Sequence, residues 1–447
     1  MKRNVYIILI ISILILALTA CGSETITRSV KVEGSIFGGN SGESVEEELS
    51  FNPDWLTKGN NTKYSKDLAS FAALLSADTY FREKDLAKGT QNRVLIDGLN
   101  ADEYTWTTML TDLGFTDVRH IESFKEKDYD FDQNDSVTMN LGYMQSGNTD
   151  IYVAAIRGCF SSGEWVSSFD LGADCPEYVD LTGEHPEWLG KDTLKGLDVA
   201  ATRALQFVVS YISEHEASGR DICVLVTGHS RGGSIAQIVG SYMEDINIRS
   251  YTYTFNSLPC CSNDKAPEYK TIFNIVDEGD FFGGLFCFSG EPLYRYGATL
   301  SGRSEGTVMS SEDMSEYSDL FGKHFKDRAS LYEMKTVTET KDDVGTAASR
   351  NEELSAIIGA EGLGLEPLCT LNMSGNASLD IEYCNAAQIQ CIGKVLTYGA
   401  SAADAAKSLF EADKEFCEII DFITAHFTEI SGGHLLVNTY ELSKTVK

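Results

Sequence analysis

The chain has 447 residues, 43% of them hydrophobic, which is enough for a large core. Its 67 acidic side chains outnumber 36 basic ones, so the formal net charge is -31 at pH 7. A surface this acidic repels phosphate backbones, which argues against nucleic acid as a partner, and we interpret the charge as a source of solubility.

Residues 1–20 have the pattern of a signal peptide. Lys2 and Arg3 precede a nearly continuous apolar run from Val5 to Leu18, which is short for a membrane-spanning helix. The sequence LTACG then places small residues before Cys21 and resembles the lipoprotein box of bacterial lipoproteins. This resemblance implies cleavage before Cys21 and a diacylglyceryl thioether on its sulfur, and two acyl chains attach a protein stably. We therefore expect an extracytoplasmic protein, lipid-anchored to the cell membrane; the alternative is an uncleaved N-terminal anchor.

Residues 21–50 are rich in Gly, Ser and Glu and lack a sustained apolar period. This composition predicts a flexible tether between the anchor and the body of the protein.

From about Tyr64 the chain alternates helix and strand patterns, which indicates an α/β sheet with crossover connections over residues 51–300. Ser146-Gly147-Asn148 separates two of the strands as a hairpin-type turn. The predicted helices cover 65–81, 104–115, 194–213 and 234–246, and the predicted strands cover 135–144, 150–156, 221–228, 250–257 and 269–276.

The stretch LVTGHSRGGSIAQIV contains the pattern G-x-S-x-G around Ser230, between a strand pattern and a helix pattern. In a nucleophile elbow the serine occupies a strained turn that holds its hydroxyl clear of the sheet, and Gly228 and Gly232 leave room for close packing. The N-terminus of the following helix brings a positive dipole end to any oxyanion. The context predicts that Ser230 is a nucleophile; the alternative is a helix-capping serine.

A serine nucleophile needs a base and an acid. Where the serine lies in a nucleophile elbow, both follow it in the chain. His426 lies in a helix pattern, whereas His434 follows Ser-Gly-Gly in a loop where an imidazole can turn towards the serine. We predict His434 as the base, with His324 as the rival. The segment FNIVDEGDFF offers two acids, Asp277 and Asp280, to orient the imidazole.

Residues 65–300 resemble a class 3 lipase, the family of fungal triacylglycerol lipases and their bacterial relatives. Four segments carry the resemblance: IYVAAIRGCFSSGEW to "AfRGT...dW", LVTGHSRGGSIAQIV to "vTGHSLGGAlA", YTYTFNSLP to "vyTFGsPr", and IVDEGDFFG to "VVNENDIVP". The last match implies Asp280 as the acid, and His434 is similar to the late histidine of the family. The resemblance thus implies an α/β-hydrolase fold and a Ser230–His434–Asp280 triad.

The resemblance also implies an oxyanion hole made by the backbone N–H groups of Cys159 and Arg231. Cys159 replaces the Ser or Thr of the family, so a hydroxyl is lost, which predicts a slower enzyme or a shifted substrate. Arg231 replaces a leucine. A charge there would favour an anionic or polar acyl substrate, or it would turn to solvent.

Residues 301–430 contain further helix patterns and are predicted to form a helical cap or lid, the alternative being an embellishment away from the site. Residues 431–447 then return to the core with His434.

The sequence contains no C-x-x-C pair of the kind that binds zinc. The expected chemistry needs neither a metal nor an organic cofactor. The sequence therefore predicts a membrane-anchored serine ester hydrolase with an acyl ester or lipid as its substrate. Two alternatives remain open: a non-catalytic binding protein with a lipase fold, and an acyltransferase.

Overall fold

The computed structural model describes most of the chain in segments. The described residues are 23–33, 44–81, 93–99, 104–122, 137–159, 164, 168, 193–215, 219–284, 293–305, 308–325, 388, 391–392, 395–396, 400–411 and 413–446. Cys21, the predicted signal peptide and the helix pattern at 351–360 lie outside them.

A seven-stranded sheet forms the centre of the molecule. Its strand order is β10-β9-β8-β7-β6-β5-β4. Neighbouring strands from β6 to β10 are parallel, whereas β5 is antiparallel to both of its neighbours, β4 and β6. The strands are β4 (Asp117–Glu122), β5 (Thr138–Ser146), β6 (Thr149–Ile156), β7 (Asp221–His229), β8 (Arg249–Phe255), β9 (Ile272–Asp277) and β10 (Ala298–Gly302). The hairpin predicted around Gly147 joins β5 to β6, as expected.

Successive side chains along each strand point to opposite faces of the sheet and enter two different cores. The sheet is therefore covered on both faces. Val224 and Val226 belong to one core and Cys223 and Leu225 to the other. The first core is covered by α4 (Lys195–His215), α5 (Arg231–Asp245), α7 (Ser311–Phe325), α8 (Ala400–Leu409) and α9 (Lys414–Ala425). The second is covered mainly by α2 (Lys66–Asp78), α3 (Thr108–Asp112) and α11 (Leu436–Thr445).

A small antiparallel sheet closes the second core. Its strand order is β2-β1-β3, from β1 (Ile26–Glu33), β2 (Ser44–Phe51) and β3 (Arg93–Ile96). The prediction of a flexible tether over residues 21–50 is therefore wrong for 26–33 and 44–50. Val30, Val32 and Leu49 are buried because alternate side chains of these strands face the core, a period that the many glutamates obscure.

The remaining helices are α1 (Pro53–Thr57), α6 (Phe281–Gly284) and α10 (Phe427–Gly433). The described helices of the predicted cap pack in the same core as α4 and α5, and their role as a lid stays a prediction. In the part of the chain that is described, no helix has the length and apolar character to cross a bilayer. A mostly parallel sheet with helices on both faces and a strand–serine–helix turn confirms the predicted α/β-hydrolase fold.

Candidate active site

Ser230 occupies a one-residue turn between β7 and α5. Its φ of 56° and ψ of -129° are strained for a residue with a side chain. The turn is held because the N–H of Ser230 donates to the carbonyl of Phe255 at 2.9 Å, and the N–H of Ser234 donates to the carbonyl of Ser230 at 3.1 Å. A side chain on Gly232 would collide with the backbone of Arg157, which explains glycine at that position. Ser230 does not cap the helix with its side chain, which removes the alternative reading of this serine.

The loop after β6 lies against the nucleophile turn. Gly158 approaches so closely that an added Cβ would lie 3.2 Å from the Cβ of Ser230. Cys159 follows in this loop, and its Sγ is 3.5 Å from the Oγ of Ser168. Burial raises the pKa of the Cys159 thiol to about 12, opposed by the positive charge of Arg231. Cys159 is thus a neutral thiol at the position that the sequence predicted for an oxyanion donor.

Arg231 is the first residue of α5, and its side chain is only 1% exposed. Of the two alternatives for this side chain, that it turns to solvent is therefore wrong. The side chain lies close enough to Cys159 for its charge to act on the thiol. A second buried cation, Arg157, lies 3.5 Å from Glu164, and both of these side chains are at most 3% exposed. Buried charged side chains therefore lie near Cys159, at the position of the predicted oxyanion donor.

Asp280 and His434 meet although 154 positions separate them in the sequence. The Nδ1 of His434 is 2.9 Å from the Oδ1 of Asp280, with the carboxylate 1% and the imidazole 15% exposed. The same oxygen accepts the N–H of Phe282 at 3.0 Å, and the Phe282 ring lies against the imidazole at 4.1 Å between centroids. Because Nδ1 faces an acceptor, it carries the proton and leaves Nε2 as the basic nitrogen.

The two rival residues lie elsewhere. Asp277 accepts the N–H groups of Gly279 at 2.7 Å and Ser304 at 3.2 Å, so it shapes the loop before Asp280. His324 is buried between helices, with its Nε2 3.0 Å from the side-chain oxygen of Gln388. The hydrogen bond to the imidazole of His434 is made by Asp280 and not by Asp277, and His324 is bonded to Gln388, so the geometry favours Asp280 and His434.

His229, the residue before Ser230, links the nucleophile turn to the His434 loop. Its Nε2 is 2.9 Å from the carbonyl of His434 and its Nδ1 is 2.9 Å from the hydroxyl of Tyr80. A carbonyl only accepts, so Nε2 donates and Nδ1 accepts from the tyrosine. Burial, with a smaller effect of the His434 charge, keeps the pKa of His229 well below its usual value, so the ring is neutral. A histidine beside the serine was visible in the sequence, but its partners were not.

Ser230 is 7% exposed, and among the described residues no hydrogen bond joins it to His434. The ring of His434 lies 4.9 Å from the ring of His229, the residue before the serine. The hydrogen bond that general-base chemistry uses often forms or tightens only when substrate is bound.

The described residues contain no cluster of His, Cys, Asp or Glu suited to a metal ion. The groups that are present, a strained serine and a carboxylate-oriented imidazole, are of the kinds used in nucleophilic acyl transfer.

No family model matches the sequence, and no curated protein does. Several solved lipase structures are similar to part of the chain. A mono- and diacylglycerol lipase from Aspergillus oryzae has 16% identity and a TM-score of 0.37, covering 55% of this chain and 84% of that one. A triacylglyceride lipase from Rhizomucor miehei has 18% identity and a TM-score of 0.33, covering 53% and 79%. A triacylglycerol lipase from Penicillium expansum has 13% identity and a TM-score of 0.29, covering 42% and 68%. At these low values the comparisons carry no argument about activity, which rests on the site itself.

Proposed function

We propose that this protein is a serine ester hydrolase of the lipase and esterase type. The observation that carries the proposal is the strained Ser230 turn, joined through His229 to a histidine that is hydrogen-bonded to a buried aspartate. A lone serine in a turn would not require an imidazole–carboxylate pair beside it.

In the proposed reaction the Oγ of Ser230 attacks the ester carbonyl carbon while His434 Nε2 takes the hydroxyl proton. Asp280 stabilises the resulting imidazolium through the Nδ1–H bond. The backbone N–H groups of Cys159 and Arg231 hold the oxyanion, the latter from the first turn of a helix, where positive partial charge is concentrated. His434 then gives the proton to the leaving alcohol, and water releases the acyl group by the same steps in reverse order.

The proposed substrate class is an acyl ester, including lipid esters. Phe282 supports an apolar acyl portion, because its ring packs against the proposed base and so forms one wall of the reaction site. We also propose that the protein acts outside the cytoplasm, attached through a lipid on Cys21, since the sequence LTACG follows a signal-peptide pattern.

Labelling by a fluorophosphonate probe and turnover of a nitrophenyl ester series test the proposal. We expect Ser230→Ala to take no label, and we expect both Ser230→Ala and His434→Ala to lose at least about 10³-fold in kcat, as triad deletions do. The matched control is His324→Ala, which removes a buried histidine away from the site and is expected to keep kcat in the folded fraction.

Three outcomes would contradict parts of this proposal. Absence of label on the intact protein, with a known serine esterase labelled in parallel, would favour a non-catalytic binding protein. Normal kcat in His434→Ala with loss in His324→Ala would make His324 the base. Ester products in place of free acid when alcohols are added would make the protein an acyltransferase.

A further inference from the structure

Asn256 follows β8 and lies between the loop that carries Asp280 and the loop that carries His434. It is fully buried, and its φ of 42° is in the left-handed region, which asparagine tolerates better than most residues. The lipase motif that Tyr251–Pro259 resembles has glycine at this place. A side chain here is therefore a departure of this sequence and not a requirement of the turn.

The Asn256 side chain bonds to both loops at once. Its Nδ2 donates to the carbonyl of Gly433 at 3.0 Å, and its Oδ1 accepts the N–H of Asp277 at 2.9 Å. The Gly433 carbonyl can only accept and the Asp277 N–H can only donate, so the orientation of the Asn256 amide is determined. Gly433 is the residue before His434, and its backbone packs directly on Gly279 and Asp280.

We infer that Asn256 is a positioning residue, which sets the separation of His434 from Asp280 through their backbones. This inference rests on the proposed function. Two adjacent carbonyls are involved: Asn256 holds that of Gly433, and His229 holds that of His434. Asn256 thus holds the His434 loop from the side of Asp280, and His229 holds it from the side of Ser230. Because Asn256 acts through the Asp280–His434 pair, its effect depends on that pair being intact.

The test compares Asn256→Gly and Asn256→Asp with the wild type. Glycine allows the same φ and removes both side-chain bonds, whereas aspartate keeps the shape and the acceptor but places an oxygen against the Gly433 carbonyl. We expect each variant to lose about 10- to 100-fold in kcat with KM changed by less than about 3-fold, since a misplaced base slows the chemical step alone. In an Asp280→Asn background the further loss is expected to be below about 3-fold.

Asn247→Gly is the matched control. Asn247 also has a positive φ, 58°, but it is exposed and its side chain makes no hydrogen bond to the described residues. The same exchange there is expected to leave kcat unchanged.

A second measurement does not depend on turnover. The Nδ1–H proton of His434, assigned by its loss in His434→Gln, gives a low-field NMR signal that should broaden or disappear in both Asn256 variants and persist in Asn247→Gly. An unchanged signal together with wild-type kcat in Asn256→Gly would overturn the inference, as would an equal kcat loss in the Asp280→Asn background. If the proposed function is wrong, the wild type hydrolyses no ester, but the His434 signal still shows whether Asn256 positions the imidazole. Failure of the proposed function is therefore distinguishable from failure of this inference.

Discussion

At the scale of single residues, close backbone approach decides what the loop beside the serine can contain. A Cβ on Gly158 would lie 2.7 Å from the carbonyl oxygen of His229 and would collide with the hydroxyl of Tyr80. That hydroxyl is the donor that holds His229, so one added methyl would disturb both the loop of the proposed oxyanion hole and the link to His434. The sequence showed an Arg-Gly pair here, but the reason for glycine is a contact with residues about 70 to 80 positions away on either side.

We therefore predict that Gly158→Ala lowers kcat by about 10²-fold, because displacing the loop moves an oxyanion donor. Gly322→Ala is the matched control. Gly322 lies on α7 with open space around it, so alanine is expected to leave kcat unchanged and to stabilise the helix slightly. Steady-state kinetics on the nitrophenyl esters measure both. Wild-type kcat in Gly158→Ala would show that the loop does not contribute to the reaction.

At the scale of one helix, α4 begins with a buried acid that has no role in the proposed reaction. Asp198 is 1% exposed, and neither carboxylate oxygen has a hydrogen-bond partner among the described residues. Burial raises its pKa to about 7. Between about pH 4 and pH 7 the folded protein therefore retains a proton that the unfolded chain releases, so the free energy of unfolding falls as pH rises through this window.

The prediction is that Asp198→Asn stabilises the protein at pH 8, by up to about 4 kcal/mol, and changes little at pH 4, where the acid is already neutral. Asp67→Asn is the control, because Asp67 also lies in the first turn of a helix but is exposed. Denaturant unfolding of both variants at the two pH values measures the effect. Equal changes for Asp198→Asn at pH 4 and pH 8 would show that its charge does not matter.

At the scale of the whole molecule, the two ends of the described chain pack together. The side chain of Glu47, on β2, accepts hydrogen bonds from Tyr440 at 2.8 Å and Lys444 at 3.4 Å, both on α11. This helix begins two residues after His434. The strand β2 thus helps to hold the helix that follows the loop carrying His434. Since β1 starts five residues after Cys21, a lipid there would hold the body within roughly 17 Å of the bilayer.

For the proposed anchor, metabolic labelling with an alkyne-bearing fatty acid is the measurement. We predict that the wild type is labelled and that Cys21→Ala is not, because acylation at this sequence begins with the cysteine thiol. Cys417→Ala makes the same exchange within α9 and is expected to keep the label. Label remaining in Cys21→Ala would place the lipid on another residue, whereas an unlabelled wild type would favour an uncleaved N-terminal anchor.

The sequence by itself determined the features that depend on neighbouring residues. Apolar periodicity predicted the helix at 65–81, which the structure places at Lys66–Asp78, the hairpin of β5 and β6, and the strand that enters and the helix that leaves the Ser230 turn. The G-x-S-x-G pattern located the candidate nucleophile, because a strained strand-to-helix turn needs glycines at fixed spacing. The same local reasoning failed for β1 and β2, where a glutamate-rich composition concealed alternate buried side chains.

Only the tertiary structure decided how distant residues combine. The hydrogen bonds of His434 to Asp280, of Asn256 to Gly433 and of His229 to His434 join positions 154, 177 and 205 residues apart. It also decided that Arg231 is buried and that Asp277 shapes a loop. Composition and spacing cannot give these contacts, because they arise when the carboxyl ends of parallel strands and the loop between α10 and α11 meet at one edge of the sheet.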